Sequence, residues 1–178
     1  MSACFAFFRA INVGGRPAPM AEVRALFEGL GFSGVKTLLQ SGNVAFDAGA
    51  GADPAGLEAR IEAAFEARFG FASDTMVRRA ADWPAMMAAN PYPEAARADP
   101  SHLLVVFLKA APSRAAAEGF LADWPGPETG AVRGREAFLA YPEGIGRSKL
   151  TAAAIERRLG VRGTGRNWNT VVKLAALA

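Results

Sequence analysis

The stretch Val35-Lys-Thr-Leu-Leu-Gln-Ser-Gly-Asn-Val-Ala-Phe-Asp47 decides the fold. Its two apolar runs, Val35–Gln40 and Asn43–Asp47, are parted by Ser41-Gly42, a pair suited to a turn, so they read as a β-hairpin. Upstream, residues 3–9 form a continuous apolar run, consistent with a strand buried on both faces. A loop holding Gly14, Gly15, Pro17 and Pro19 leads into a helix from about Met20. There Val23, Leu26, Phe27 and Leu30 fall on one stripe, and Gly31 offers a left-handed stop. Downstream, Asp53-Pro54 opens a second helix, with Asp as N-cap and Pro in the first turn. Leu57, Ile61, Phe65 and Phe69 line its buried face, Gly70 ends it, and Thr75–Arg79 reads as a fourth strand. The order β-α-β-β-α-β is the split βαβ, or ferredoxin-like, arrangement.

The pattern then starts again. Residues 80–101 read as a connector, with a short helix from Asp82-Trp83-Pro84 to about Ala89 and forced turns at Asn90-Pro91-Tyr92-Pro93. His102–Lys109 is a strongly apolar strand, and Ser113 caps a helix expected to reach Trp124. Gly130–Arg133 and Glu136–Tyr141 make a second hairpin around Gly134-Arg135. Ser148 is positioned to cap a helix with Leu150, Ala154, Ile155 and Leu159 inward, closed by Gly160. No closing strand is evident, and a short helix, Thr170–Leu177, takes the last place. The expectation is an α+β protein of two ferredoxin-like halves packed as one compact protein. The first is βαββαβ over residues 1–79. The second is βαββα over residues 102–178, with an added terminal helix.

Composition excludes several mechanisms. One Cys and one His cannot make a Cys/His zinc site, and the single Cys4 allows no internal disulfide. A Cys4–His102 catalytic pair requires the fold to join two strand starts. No cofactor or metal is expected. No apolar run reaches the roughly 20 residues of a membrane span. The N-terminus lacks a basic region before its short apolar run, which argues against a signal peptide, so the expected location is cytoplasmic. Charge is uneven: residues 1–132 carry 11 basic and 14 acidic side chains, whereas residues 133–178 carry nine and three. Such a basic C-terminal third fits a polyanion-facing surface or a solvated Arg-rich helix face.

Three dense polar clusters stand out against this Ala-rich background: Arg9-Ala-Ile-Asn12-Val-Gly-Gly15, Gln40-Ser41-Gly42-Asn43, and Gly163-Thr-Gly-Arg166-Asn167-Trp168-Asn169-Thr170. Amides of Gly14 and Gly15 can approach an anion, and Arg9 can grip a phosphate or carboxylate. The alternative is a glycine turn with Asn12 bonding its own backbone. Ser41 and Asn43 are also ordinary turn residues. In the third cluster, Arg166, Trp168 and Lys173 form a charge, a stacking face and a second charge, a workable set for single-stranded nucleic acid. Asn167, Asn169 or Thr170 can instead cap the last helix. Neither a phosphate-binding P-loop nor a dinucleotide fingerprint is present, since Gly144-Ile-Gly146 lacks the third glycine. Phe5, Phe7 and Phe8 on the first strand do not make an RNA-recognition motif, because that module needs exposed aromatics and its octamer signature.

These clusters, with Met20 and Tyr141-Pro-Glu-Gly-Ile-Gly-Arg-Ser-Lys149, carry a resemblance. The chain is similar to the bacterial domain-of-unknown-function family 1697, whose pattern runs Arg-Gly-Ile-Asn-Val-Gly-Gly, Gln-Ser-Gly-Asn, Tyr-Pro-x-Gly-Ile-Gly-x-Ser-Lys and Arg-Asn-Trp-x-Thr-Val. Ala10 stands where that family usually has Gly. The resemblance implies two ferredoxin-like units and no activity.

The leading functional expectation is a non-catalytic module for an anionic ligand, either a nucleotide or single-stranded nucleic acid. Its site would join Arg9 and Asn12 with Arg166, Asn167 and Lys173. The second reading is an enzyme on a small phosphorylated or carboxylated metabolite, with Arg9 and Lys149 as electrostatic stabilisers and Ser41 or Tyr141 as proton donor. The third is a structural or partner-binding protein.

Overall fold

β1 (Ala3–Phe8) can be apolar throughout because both its faces are covered. It lies inside an antiparallel sheet between β3 (Asn43–Asp47) and β4 (Thr75–Arg79), with β2 (Ser33–Leu38) beyond β3, giving the order β2-β3-β1-β4. Cys4, Ala6 and Phe8 face a core built with α1 (Met20–Gly29) and α2 (Pro54–Phe69). Aromatic rings dominate that core: Phe27 meets Phe46 edge-on at 5.0 Å, and Phe8 meets Phe65 at 4.8 Å. On the opposite face, Phe5 and Phe7 pack against Trp83 at 4.7 and 5.9 Å. All three β1 phenylalanines are therefore buried, unlike the exposed aromatics of an RNA-recognition motif.

The caps read from the sequence form in α2. The Asp53 carboxylate accepts from the Gly56 amide at 2.9 Å, and Gly70 ends the helix in the left-handed region.

The computed structural model describes residues 2–177. The chain divides into two units, Met1–Ala85 with Leu174–Ala178, and Met86–Lys173. The second unit repeats the topology of the first. β5 (Leu103–Leu108) lies between β7 (Glu136–Ala140) and β8 (Gly163–Asn167), and β6 (Thr129–Arg133) lies beyond β7. α5 (Arg114–Glu118) and α6 (Ala152–Leu159) accompany this sheet, with Val106, Leu108, Leu139 and Ile155 in the core. α3 (Trp83–Ala88) and α4 (Pro93–Ala98) fall between β4 and β5, and α7 (Trp168–Ala175) follows β8. No helix among the described residues is long and apolar enough to cross a membrane.

Five details differ from the sequence expectation. The first hairpin closes through four residues, 39–42, because Leu38 pairs with Asn43. α4 is a second helix within the connector. α5 stops at Glu118, short of Trp124, with Gly119 as its C-cap. Thr151, not Ser148, caps α6, its hydroxyl accepting from the Ala154 amide at 3.3 Å. Lastly, Gly163–Asn167 is a strand, so the second unit is also βαββαβ. Its glycines are packing sites: a Cβ on Gly163 would lie 2.8 Å from Val106 Cγ1, and one on Gly165 would lie 3.0 Å from Leu104.

Gly42 sits at φ +80°, where a Cβ would lie 2.6 Å from Ile11 Cδ1 and 3.0 Å from Phe8 Cβ. Gly42→Ala should cost about 2–4 kcal/mol, adding left-handed strain to overpacking. Urea unfolding measures this, and a loss below about 0.5 kcal/mol, the range of an ordinary surface change, would contradict the packing described.

Candidate functional site

The first two polar clusters meet. The Asn12 amide nitrogen donates to the Ala18 and Gln40 carbonyls, both at 2.9 Å, and its oxygen accepts from the Ala18 amide at 2.8 Å. Asn12 holds φ +57°, a conformation that Asn tolerates better than most residues, so one side chain ties the β1–α1 loop to the β2–β3 hairpin. The Phe8 amide donates to the Gly42 carbonyl, and Asn43 donates to Leu38 O at 2.7 Å and to Ser41 Oγ at 3.1 Å. Arg9 has its backbone fixed on both sides: its amide donates to Asp74 O, and its carbonyl accepts from Ser73 Oγ at 2.8 Å. Arg16 donates to Ala72 O and lies 4.8 Å over the Phe71 ring. Gly14 and Gly15 are exposed with positive φ, as a tight turn requires. Asn12 and Asn43 thus spend their side-chain amides inside the protein.

The third cluster is also largely internal. Arg166 and Trp168 are only 6% and 8% exposed, so neither presents a charge or ring to a polymer. Arg166 donates to Thr164 Oγ1 at 2.7 Å and to Gly165 O at 2.8 Å, and burial pulls its guanidinium down to about 10. The Asn167 side-chain oxygen Oδ1 accepts from the Thr170 amide and hydroxyl, both at 3.1 Å, and so caps α7. Thr170 is buried, whereas Asn169 and Lys173 are exposed. Arg9, Asn12, Gly14, Gly15, Ser41 and Asn43 belong to the first unit. Lys149 and the residues from Arg166 to Lys173 belong to the second.

An open cleft of about 340 Å3 lies within the second unit, bordered by Trp124, Glu128, Glu143, Arg147, Ser148 and Lys149. Two loops build it. In Trp124-Pro-Gly-Pro-Glu128, the indole Nε1 donates to Glu128 Oε2 at 2.6 Å. Gly126 passes so close to this bond that a Cβ there would fall 2.2 Å from Glu128 Oε2 and 2.5 Å from Trp124 Nε1. In the other loop, Ser148 donates to the second Glu128 oxygen while accepting from the Leu150 amide at 2.9 Å. Ser148 is therefore committed before α6 begins, which leaves the cap to Thr151. Burial pushes the Glu128 carboxyl up, but the Ser148 and Trp124 hydrogen bonds outweigh that and hold it below its ordinary value.

Arg147 and Lys149 flank the tethered Ser148. Both are exposed, and neither side chain makes an ion pair or hydrogen bond among the described residues. Ser148 is extended, at φ −77° and ψ 144°, so their Cα atoms stand roughly 6–7 Å apart. Glu143 is likewise exposed and unpaired at the border. The Arg158 guanidinium covers one face of Trp124, 5.2 Å from the ring, and is itself held by Asp123 at 2.7 Å. The outcome is a rigid polar wall carrying two uncommitted cations beside an indole.

The enzyme candidates fare differently. Tyr141 is buried, its hydroxyl donates to Leu150 O at 3.0 Å, and desolvation with the nearby Glu128 charge raises its pKa far above the ordinary range. A phenol so placed is a poor proton donor. Cys4 is buried, and burial pushes its thiol up. His102 lies 3.5 Å from Asp99 and is half-exposed. Cys4 and His102 belong to different units. No group of three or more His, Cys, Asp or Glu among the described residues is arranged to hold a metal ion.

Sequence reading named Lys149 but missed Trp124, Glu128, Glu143 and Arg147 as its neighbours. The usable signals were the rigid Pro-Gly-Pro loop between an indole and a carboxylate, and Arg147 two residues from Lys149.

The chain belongs to a family described as protein of unknown function (DUF1697), whose model matches residues 1–138. Membership carries no activity. A comparison with curated proteins finds no match. Among solved structures, a conserved bacterial protein from Streptococcus pneumoniae is similar in fold. It shares 20% sequence identity at a TM-score of 0.75, over 99% of this chain and 98% of that one.

The cleft wall has a pH signature. The Glu128 pKa is depressed on folding, so its stabilisation is present above the ordinary value of 4.5 and is lost as pH falls through the lower folded value. Glu128→Gln should thus lower thermal stability at neutral pH, and the difference should shrink as pH falls below 4.5. A difference that stays constant across that window would mean that the carboxylate is not held as described.

Proposed function

We propose that this member of the DUF1697 family is a non-catalytic module that binds an anionic ligand of the nucleotide or single-stranded nucleic-acid class in the second-unit cleft. The observation that carries the reading is the pair of exposed cations, Arg147 and Lys149, whose side chains make no ion pair or hydrogen bond among the described residues, on a loop pinned by Ser148 to Glu128. A fixed loop has little conformational freedom to lose on binding, so charge-assisted contacts retain more of their worth. The nine-to-three excess of basic residues after position 132 favours an anion further.

Of the residues first expected to bind, Lys149 stays in this site. Arg166 and Trp168 leave it because they are buried, and Asn12 and Asn43 leave it because their side chains hold loops together. Ser148 and Tyr141 are both committed to internal hydrogen bonds, which favours binding over catalysis by either hydroxyl.

Loss of one charge-assisted contact should cost roughly tenfold in affinity. Lys149→Ala should therefore weaken binding of a fluorescent nucleotide or single-stranded oligonucleotide by about that factor in anisotropy titrations, and added salt should weaken it in the unaltered protein. If Arg147→Ala combined with Lys149→Ala left the affinity for every anionic probe unchanged, the site assignment would be wrong.

A further inference from the structure

We infer that the second unit holds a further site, for a small monocarboxylic acid, whose carboxylate would accept from the Gly165 amide while its apolar body fills a pocket of about 240 Å3 beside α6. The two units treat their outer strands differently at this place. β4 is the outer strand of its sheet, so alternate amides turn away from β1. Two of them meet carboxyl groups of α2: Thr75 donates to Glu62 Oε1 at 2.7 Å, and Val77 donates to Glu58 Oε1 at 2.9 Å. Glu58 and Glu62 are four residues apart, so one face of α2 serves both. β8 is the outer strand of the second sheet, and its register matches. Gly163 faces Leu108 as Thr75 faces Phe8, and Gly165 faces Val106 as Val77 faces Ala6. Gly163 donates to Glu156 Oε1 at 3.1 Å, the counterpart of the Thr75–Glu62 bond. Four residues before Glu156, at the counterpart of Glu58, stands Ala152. Alternation turns the Gly165 amide the same way as that of Gly163, and no acceptor for it stands among the described residues. Gly165 is half-buried, where an amide without an acceptor is costly.

The same difference opens the pocket. α2 begins at Pro54, a turn before Glu58, whereas α6 begins at Ala152 itself. The space borders Ala152 and Gly165, and its walls include the apolar side chains of Leu104, Ile145, Leu150 and Ile155. The Tyr141 hydroxyl at the wall is spent on Leu150 O, so it leaves the Gly165 amide as the donor. The start of α6 at the border is the positive end of a helix, which favours negative charge. A cation also stands at the equivalent position: Arg78 lies 4.0 Å from Glu58, and Arg166 has its place in the register of β8. The missing group is therefore a carboxylate, the one that Glu58 supplies in the first unit. An apolar cavity of about 150 Å3 takes benzene. The 240 Å3 here accommodates a body of that size joined to a carboxylate.

Benzoate is the probe. Benzyl alcohol keeps the body without the charge, and acetate keeps the charge without the body. Titration of the full chain, followed by amide chemical shifts, should show benzoate binding one to one and moving the Gly165 amide. Benzyl alcohol should bind roughly tenfold more weakly, for want of the charge-assisted contact. Acetate should bind weaker by roughly tenfold or more, for want of apolar surface to bury. Ala152→Glu supplies the carboxyl from the chain itself. It should abolish benzoate binding and raise the thermal midpoint more than Ala153→Glu, which adds a first-turn acid outside the pocket. Arg147→Ala combined with Lys149→Ala should leave benzoate affinity unchanged, which separates this site from the cleft.

Benzyl alcohol binding as tightly as benzoate would leave only an apolar cavity and overturn the inference. So would a Gly165 amide that stays still at millimolar benzoate, a readout on the unaltered protein that does not depend on the folding of any variant. Benzoate affinity kept by a folded Ala152→Glu protein, or abolished by the double cleft variant, would overturn it as well.

Discussion

The carboxylate of Glu128 is the interaction on which the cleft depends. Its two oxygens accept from different loops, one from the Trp124 indole and one from the Ser148 hydroxyl. Residues 124–128 belong to no helix or strand, and the cation loop has only a single 3-10 turn, Ile145–Arg147. A carboxylate with two hydrogen bonds holds each loop by a charge-assisted contact, stronger than the neutral kind. The close pass of Gly126 over the indole bond leaves no room for a side chain there. Three consequences follow from one anion: the indole is oriented, the cation loop is pinned, and Ser148 is withdrawn from capping α6. Thr151 supplies that cap instead.

The polar clusters that dominate the sequence serve a different purpose. Asn12 at φ +57° satisfies two carbonyls and an amide that loop geometry leaves without partners in regular structure. Asn43 and the Asn167 cap of α7 do comparable work. Unusual residues in dense groups therefore mark backbone conformations that need internal donors and acceptors. The proposed binding surface has the opposite signature: Arg147 and Lys149 are chemically ordinary and notable only because neither side chain makes an ion pair or hydrogen bond among the described residues.

Much of the fold was legible in the sequence. The apolar strand run of residues 3–9, the stripes Val23–Leu30 and Leu57–Phe69, and the Asp53 and Gly70 caps rest on local chemistry, and each has its counterpart in the first unit. What failed to read were features decided at a distance. Gly163-Thr-Gly-Arg-Asn167 carries little strand propensity, yet it pairs along β5 because Leu104, Val106 and Leu108 fill the space that its glycines leave. The choice between Ser148 and Thr151 as cap depends on Glu128, twenty residues before Ser148. The candidate site was half legible: Lys149 was visible as a cation in a glycine-rich segment, but its pairing with Trp124 is tertiary. The burial of Arg166 is tertiary too, since Arg reads as a surface residue from sequence.

The central claim is that function resides in the Trp124–Lys149 cleft and that the Asn12 and Asn43 loops are scaffold. Amide and indole chemical-shift mapping during titration with adenosine monophosphate tests it residue by residue. The account predicts shifts at the Trp124 indole and along the amides of 144–150, with the Asn12 and Asn43 side-chain amides unmoved. Shifts centred on residues 9–16 and 40–43, with the Trp124 indole silent, would contradict it.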